Sequence, residues 1–232
     1  MKYNDYKYGI YPDVITQIEL KRMLSPIGPT EGHLYRISDG KKPKIVAMIQ
    51  CVGSRSLKVN PYCSVVCCSV ALKNAQLLKH EYPDTEIVIF YIDLRTWDKG
   101  NEKYYRKVRE AGVLTIRGKA GEIQEDQETK AIKLTAFDTL TNQIVNLNAY
   151  LVVLSTGMIP SKYSAKLTET LSMSSDSYGF LSEIHGCLKP QETTNMGVYM
   201  CGCAAGPKKY HLPSQQLQLP QVRQLYCFPK IP

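Results

Sequence analysis

The chain has 232 residues, of which 44% are hydrophobic and 22% charged. This length and apolar content suit one large domain or two small ones with a real core, and the Ile/Val/Leu runs exclude disorder for most of the chain. Only 15 residues are Gly, which excludes a collagen-like chain, and no apolar run nears the roughly 18 residues of a membrane helix. The start, Met1-Lys2-Tyr3-Asn4-Asp5-Tyr6, lacks the apolar segment of a secretory signal, so a soluble, cytoplasmic protein is expected. Lys and Arg number 29 against 21 Asp and Glu, a formal charge of +8. The excess is scattered and not striped, so it reads as solvated surface, and no nucleic-acid partner is expected.

Asp13 to Leu24 reads as a strand entering a short helix, stopped by Ser25-Pro26. Asp39-Gly40-Lys41-Lys42-Pro43 is a turn before the apolar strand Ile45–Gln50. Ser64 to His80 has helical spacing (Val65, Cys68, Leu72, Ala75, Leu78), and Glu86–Ile92 is a second buried strand. Strand–helix–strand predicts parallel pairing and an α/β layer. A charged helix over Glu102–Ala111 closes at Gly112, and Leu114–Gly118 follows. Alternating strands are predicted around Gly121–Glu125, Ala131–Asp138 and Gln143–Leu147, with a hairpin turn at Thr141-Asn142. Tyr150–Ser155 is another apolar strand, residues 161–178 read as loop, and Gly197–Cys201 as a last short strand. From Pro207 the sequence turns Pro- and Gln-rich with no usable period, predicting an irregular tail.

Eight cysteines without a secretion signal point to metal or redox chemistry and not to disulfides. Cys51, Cys63, Cys67 and Cys68 form the pattern C-x11-C-x3-C-C, with Cys51 just after a strand and the others about a helix start. A helix amino terminus favours thiolates, and four of them suit an iron–sulfur cluster or tetrahedral zinc. Zinc usually takes two C-x2-4-C knuckles, which are lacking, and adjacent Cys67-Cys68 is awkward around one small ion. Iron–sulfur is therefore favoured, with packing of buried cysteines as the competing reading. Cys201 and Cys203 read as packing residues. The strand–turn–helix is not a dinucleotide site, because only Gly53 remains of a G-x-G-x-x-G turn. No acid–base or nucleophilic site is visible; His33, His80, His185 and His211 are far apart in sequence.

Ile49-Gln50-Cys51-Val52-Gly53-Ser54-Arg55 and Asn60-Pro61-Tyr62-Cys63-Ser64-Val65-Val66-Cys67-Cys68 resemble the signature of the heterodisulfide reductase A-type subunits, an iron–sulfur flavoprotein family of methanogens and other anaerobes. Ser38–Pro43, Phe90–Thr96, Leu151–Met158 and Gly202–Pro207 match in order, so the resemblance covers about residues 8–207. It implies an α/β fold of the pyridine-nucleotide-disulfide-oxidoreductase (thioredoxin-reductase-like) class with a partial flavin domain. Residues 1–43 would be a partial flavin domain or linker, 44–157 a nucleotide-domain-like α/β domain carrying the cysteines, 158–207 the return to the flavin domain, and 208–232 an irregular tail. The resemblance further implies that Cys51, Cys63, Cys67 and Cys68 bind one [4Fe-4S] cluster exchanging electrons with FAD, and that Thr156, Gly157, Gly202, Gly206 and Pro207 lie near the flavin. The expected partners are the other subunits of a heterodisulfide-reductase-like complex and a hydrogenase- or formate-dehydrogenase-type donor. The family's Gly-rich amino-terminal flavin half and its ferredoxin-type C-x2-C-x2-C-x3-C segments are missing, so truncation at both ends and an incomplete flavin site are expected. The competing expectation is a zinc-stabilised or scaffold module without redox function.

Overall fold

A computed structural model describes residues 6–97 and 99–208. The predicted tail therefore lies, from residue 209 onward, outside the described residues. The described residues divide into two compact units: one runs to Tyr62 and resumes over Cys67–Gly157, and the other comprises Cys63–Val66 and the residues from Met158.

The first unit is built on a five-stranded parallel sheet in the order β1 (Val14–Thr16), β8 (Leu151–Thr156), β2 (Ile45–Val52), β3 (Glu86–Tyr91), β4 (Leu114–Arg117). Its central strands are apolar on both faces, as a doubly covered parallel sheet requires. Alternate residues Val46, Met48, Ile87, Ile89, Leu151 and Val153 pack with α1 (Gln17–Met23), α2 (Cys67–Glu81) and α3 (Asn101–Glu110) through Leu20, Leu72, Leu78 and Val108. The other face, through Ala47, Ile49, Val88, Phe90 and Leu154, meets the antiparallel sheet β5 (Ala120–Glu125), β6 (Ile132–Asp138), β7 (Gln143–Ala149). That small sheet buries Ile123, Ile132 and Leu134 inward. Every strand predicted for this unit is present.

Local signals fix the ends of these elements. Thr16 caps α1 with a reciprocal capping box: its hydroxyl accepts from the Glu19 amide, and the Glu19 carboxylate accepts from the Thr16 amide at 2.6 Å. Asp13, fully buried before β1, accepts from the Ser38 amide at 3.1 Å and stands 3.8 Å from Arg36, which also binds Asp39. The Ser38–Pro43 motif is thus tied down at the amino-terminal edge of the sheet. Asn142, at φ +58°, makes the β6–β7 turn, and the Asp138 carboxylate accepts from the Leu140 amide within it.

The second unit is mostly turns and isolated bridges. It holds α4 (Ser164–Thr170), which buries no side chain, and a 3-10 turn over Gly202–Ala205. Three expectations are corrected. The stretch 161–178, read as loop, contains α4; its polar composition gives no apolar stripe to reveal a helix. The strand predicted over Gly197–Cys201 is only an isolated bridge, Tyr199 to Glu192. The helix predicted from Ser64 starts at Cys67, because Val65 sits at φ +63°, a conformation that ends any helix and that a β-branched residue rarely adopts. Among the described residues no helix is long and apolar enough to cross a membrane.

Leu72 is fully buried beneath α2. Leu72→Ala is expected to lower stability by about 2–5 kcal/mol in urea denaturation, because the rigid sheet beneath cannot close the cavity.

Candidate metal centre

The carboxyl ends of parallel strands are where open α/β sheets bind their ligands. Here that edge carries three of the four predicted cysteines. Cys51 lies near the end of β2, where its register with β8 shifts between Ile49 and Val52. The backbone is left-handed at Cys51 (φ +59°), Gly53 (φ +71°) and Arg55 (φ +55°). Left-handed backbone costs a non-glycine residue about 1–3 kcal/mol and gathers at functional turns. The loop beyond is clamped: Asn60 Nδ2 donates to the Gly53 carbonyl at 2.9 Å, and the Arg55 amide to the Tyr62 carbonyl at 3.0 Å.

Helix α2 begins over this turn with Cys67 and Cys68. The Cys67 thiol donates to the Thr156 carbonyl at the end of β8 (3.7 Å), and the Cys68 thiol to the Asp93 carbonyl just past β3 (3.8 Å). Neighbours on a helix point about 100° apart, so the two sulfurs reach strands on opposite sides of β2. Cys51 and Cys68 are buried, and Cys67 is half-buried. Cys63 belongs to the second unit, where its sulfur accepts from the Val65 amide at 3.3 Å. No disulfide joins any described cysteine. Among the described residues no three His, Cys, Asp or Glu side chains are arranged so that they could hold a metal ion.

The electrostatics centre on Arg55. Its Nη2 lies 2.7 Å from Asp93 Oδ2, and Arg117 braces the other carboxylate oxygen at 3.6 Å. The bond from Arg55 holds the Asp93 carboxyl below the ordinary 3.8 of an aspartate, against a smaller opposing effect of burial. Burial works against the charge on Arg55, but Asp93 and the Cys51 sulfur outweigh it and raise its pKa. Beneath α2 the apolar face turns polar at the same edge. Asn74 donates to Gln17 at 2.7 Å, Gln17 to Ser155 at 3.3 Å, and Gln50 is 2% exposed with neither amide atom partnered.

Cys51, Cys67 and Cys68 lie at one edge of the sheet with Arg55, whose buried Nη1 donates to no protein atom, but as placed these side chains do not form a set that could hold a metal ion. A dinucleotide pyrophosphate does not fit. Cys51 and Arg55 place side chains where such a turn needs bare backbone. Of the residues expected near a flavin, Thr156 ends β8 and Gly157 follows it, both in the first unit. Gly157 donates to the Val52 carbonyl at 2.8 Å, and a Cβ on it would stand 3.0 Å from the Gly53 oxygen. Gly202 (φ +62°) opens the 3-10 turn of the second unit and Gly206 (φ +122°) closes it before Pro207. A Cβ on Gly206 would meet open space, so its glycine serves the turn and not a close approach. Arg55, Asp93 and Gln50 were not singled out from sequence. The available signal was polarity at the ends of apolar strands.

No family model matches the chain. Over 206 residues, 88% of the chain, it is 48% identical to the second of two iron-sulfur A-type subunits of CoB–CoM heterodisulfide reductase from Methanopyrus kandleri. It is equally identical to the corresponding iron-sulfur protein of Methanocaldococcus jannaschii. Over 209 residues it is 47% identical to the A-type subunit of the H2/formate:CoB-CoM heterodisulfide,ferredoxin reductase of Methanococcus maripaludis. The chain is thus homologous to these subunits, and it spans 31–32% of their length. Its fold is similar to Thermoplasma acidophilum thioredoxin reductase (TM-score 0.52, 11% identity, 92% of this chain and 55% of that one). It is also similar to LpdA of Mycobacterium tuberculosis (TM-score 0.50, 12% identity, 82% and 36%).

Gly157→Ala is expected to cost about 1–3 kcal/mol in thermal or urea unfolding, since the added methyl must push the Gly53 turn aside. A second outcome concerns pH. The folded Asp93 pKa is depressed, so its pair with Arg55 contributes stability above about pH 4, and this is lost as pH falls through the lowered value. Urea titrations should show wild type and Asp93→Asn converging in stability below about pH 4 and separating above it.

Proposed function

We propose that the chain is an electron-transfer module of a heterodisulfide-reductase-like oxidoreductase, holding one [4Fe-4S] cluster on Cys51, Cys63, Cys67 and Cys68. What supports this reading is the C-x11-C-x3-C-C spacing and the resemblance to the heterodisulfide reductase proteins, together with the placement of Cys51, Cys67 and Cys68 at the carboxyl edge of the sheet in place of a phosphate-binding turn. Cys63 joins the set by its sequence spacing alone. A four-cysteine cluster supplies one-electron transfer when bound. The chain's own residues supply its setting. The positive end of α2 and the Arg55 guanidinium favour thiolate sulfur, and the apolar residues on both sheet faces keep water from the strands below.

In the same reading, residues 158–207 form part of a flavin domain in which Gly202, Gly206 and Pro207 lie near FAD, the electron partner of the cluster. The resemblance to the heterodisulfide reductase proteins supports this assignment, and the thioredoxin-reductase-like fold is compatible with it. The proposed partners are the remaining subunits of such a complex and a hydrogenase- or formate-dehydrogenase-type electron donor, the acceptor being a disulfide-reducing subunit.

Anaerobically purified chain should contain about four irons and show a broad absorption shoulder that dithionite bleaches. Cys67→Ser and Cys68→Ser should each abolish iron loading. Stoichiometric zinc without iron in the wild type would point to a zinc-stabilised scaffold, and unchanged iron in both variants would overturn the ligand assignment.

A further inference from the structure

Among the described residues, five buried side-chain nitrogen and oxygen atoms have no hydrogen-bond partner, and four of them belong to one region: Nε2 and Oε1 of Gln50, Oγ of Ser69 and Nη1 of Arg55. Buried polar atoms in native proteins are paired, either within the protein or with a bound molecule. Gln50 alternates along β2 with Val46 and Met48, which places it on the helix-covered face at the carboxyl end of the strand, 2% exposed. Ser69 lies in the first turn of α2, three residues before the buried Leu72, and so on the side of the helix that faces the sheet. Asp93 ties Arg55 to the same turn: its carbonyl accepts from the Cys68 thiol at 3.8 Å, and its carboxylate from Arg55 Nη2 at 2.7 Å. The neighbouring buried amides are paired, Asn74 to Gln17 and Gln17 to Ser155, and Gln50 stands outside that chain.

We propose that the first turn of α2 and the end of β2 bind one small protonated oxyanion, of which hydrogen phosphate is the type. The charge follows from two features. α2 presents the positive end of a 15-residue helix with no acidic residue in its first turn. Arg55 and Arg117 share the single carboxylate of Asp93, which leaves one positive charge over. Arg55 Nη1, Gln50 Nε2 and the Ser69 hydroxyl are donors that oxyanion oxygens accept. Gln50 Oε1 is an acceptor and requires a donor on the ligand, which selects a protonated anion. Phosphate keeps such an O–H at neutral pH, and sulfate has none. A single ion needs no bare-backbone turn, so the side chains at Cys51 and Arg55 that exclude a dinucleotide do not exclude it. None of the atoms used is a cysteine sulfur, so the proposal goes beyond the electron-transfer reading and requires no metal.

The test is a calorimetric titration of the full 232-residue chain with sodium phosphate and with sodium sulfate, at neutral pH and matched ionic strength. Phosphate should bind as one ion per chain, and sulfate at least about tenfold more weakly, because it leaves the buried Gln50 oxygen unpaired. Gln50→Met keeps the length of the side chain without its amide; it should weaken phosphate at least about tenfold and abolish the preference over sulfate. Ser69→Ala should weaken both ions alike. Phosphate should also raise the unfolding temperature of wild type and leave that of Gln50→Met unmoved. No phosphate binding up to about 10 mM would overturn the proposal and assign these atoms to ordered water. Sulfate bound as tightly as phosphate, or Gln50→Met binding phosphate as wild type does, would overturn it as well. If Gln50→Met does not fold, the phosphate-over-sulfate ratio of the wild type decides alone. Iron counted in the same samples reports separately on the cluster reading.

Discussion

The carboxyl edge of the first unit depends on the backbone turning left-handed at Cys51 just as β2 loses register with β8. A strand that ran on straight would carry its side chains alternately to the two faces of the sheet. The left-handed residues at 51, 53 and 55 instead fold the chain back over the edge, where Asn60 clamps the Gly53 carbonyl. The turn leaves no room for a side chain at residue 157, and Gly157 meets that limit. With the turn in place, α2 starts over the end of β2 with Cys67 toward β8 and Cys68 toward β3.

The same edge concentrates polarity that the body of the unit avoids. The helix-facing layer is aliphatic through Met48, Ile89 and Val153, then changes at Gln50 and Ser155 to amides and hydroxyls linked with Gln17 and Asn74. On the edge itself the half-buried Arg55 and the exposed Arg117 share the Asp93 carboxylate. Strained backbone, a buried guanidinium arm without a partner and an unpartnered Gln50 amide all oppose folding. The doubly covered sheet supplies the apolar burial that offsets them. Stability generated in the middle of the sheet offsets the strain gathered at its carboxyl edge.

The second unit follows a different design. Its ordered pieces are short, its helix α4 buries nothing, and Cys187, Cys201 and Cys203 are exposed. Hydrogen bonds between turns hold it, such as the Leu181 amide to the Ala204 carbonyl and the Met158 amide to Ser64 Oγ, and its described residues form no extended ladder. Hence the cysteine-bearing edge of the first unit and the glycine turn of the second rest on different physical supports.

The sequence by itself determined the layered core. Parallel strands, their covering helices and the antiparallel hairpins follow from apolar periodicity, because burial on both faces of a sheet leaves a pattern that neighbouring residues carry themselves. It also singled out the cysteine block, whose spacing and resemblance to the heterodisulfide reductase proteins survive in residue order alone. The start of α2 was misplaced by three residues, since the stop at Val65 is a backbone angle and not a residue preference. Helix α4 went unseen for want of an apolar stripe. Only the tertiary structure decided that Arg55, 38 residues before Asp93, would share one carboxylate with Arg117 beside Cys51. Such pairing is set by where three strands end in space, and electrostatic contacts between distant residues leave no period in a sequence.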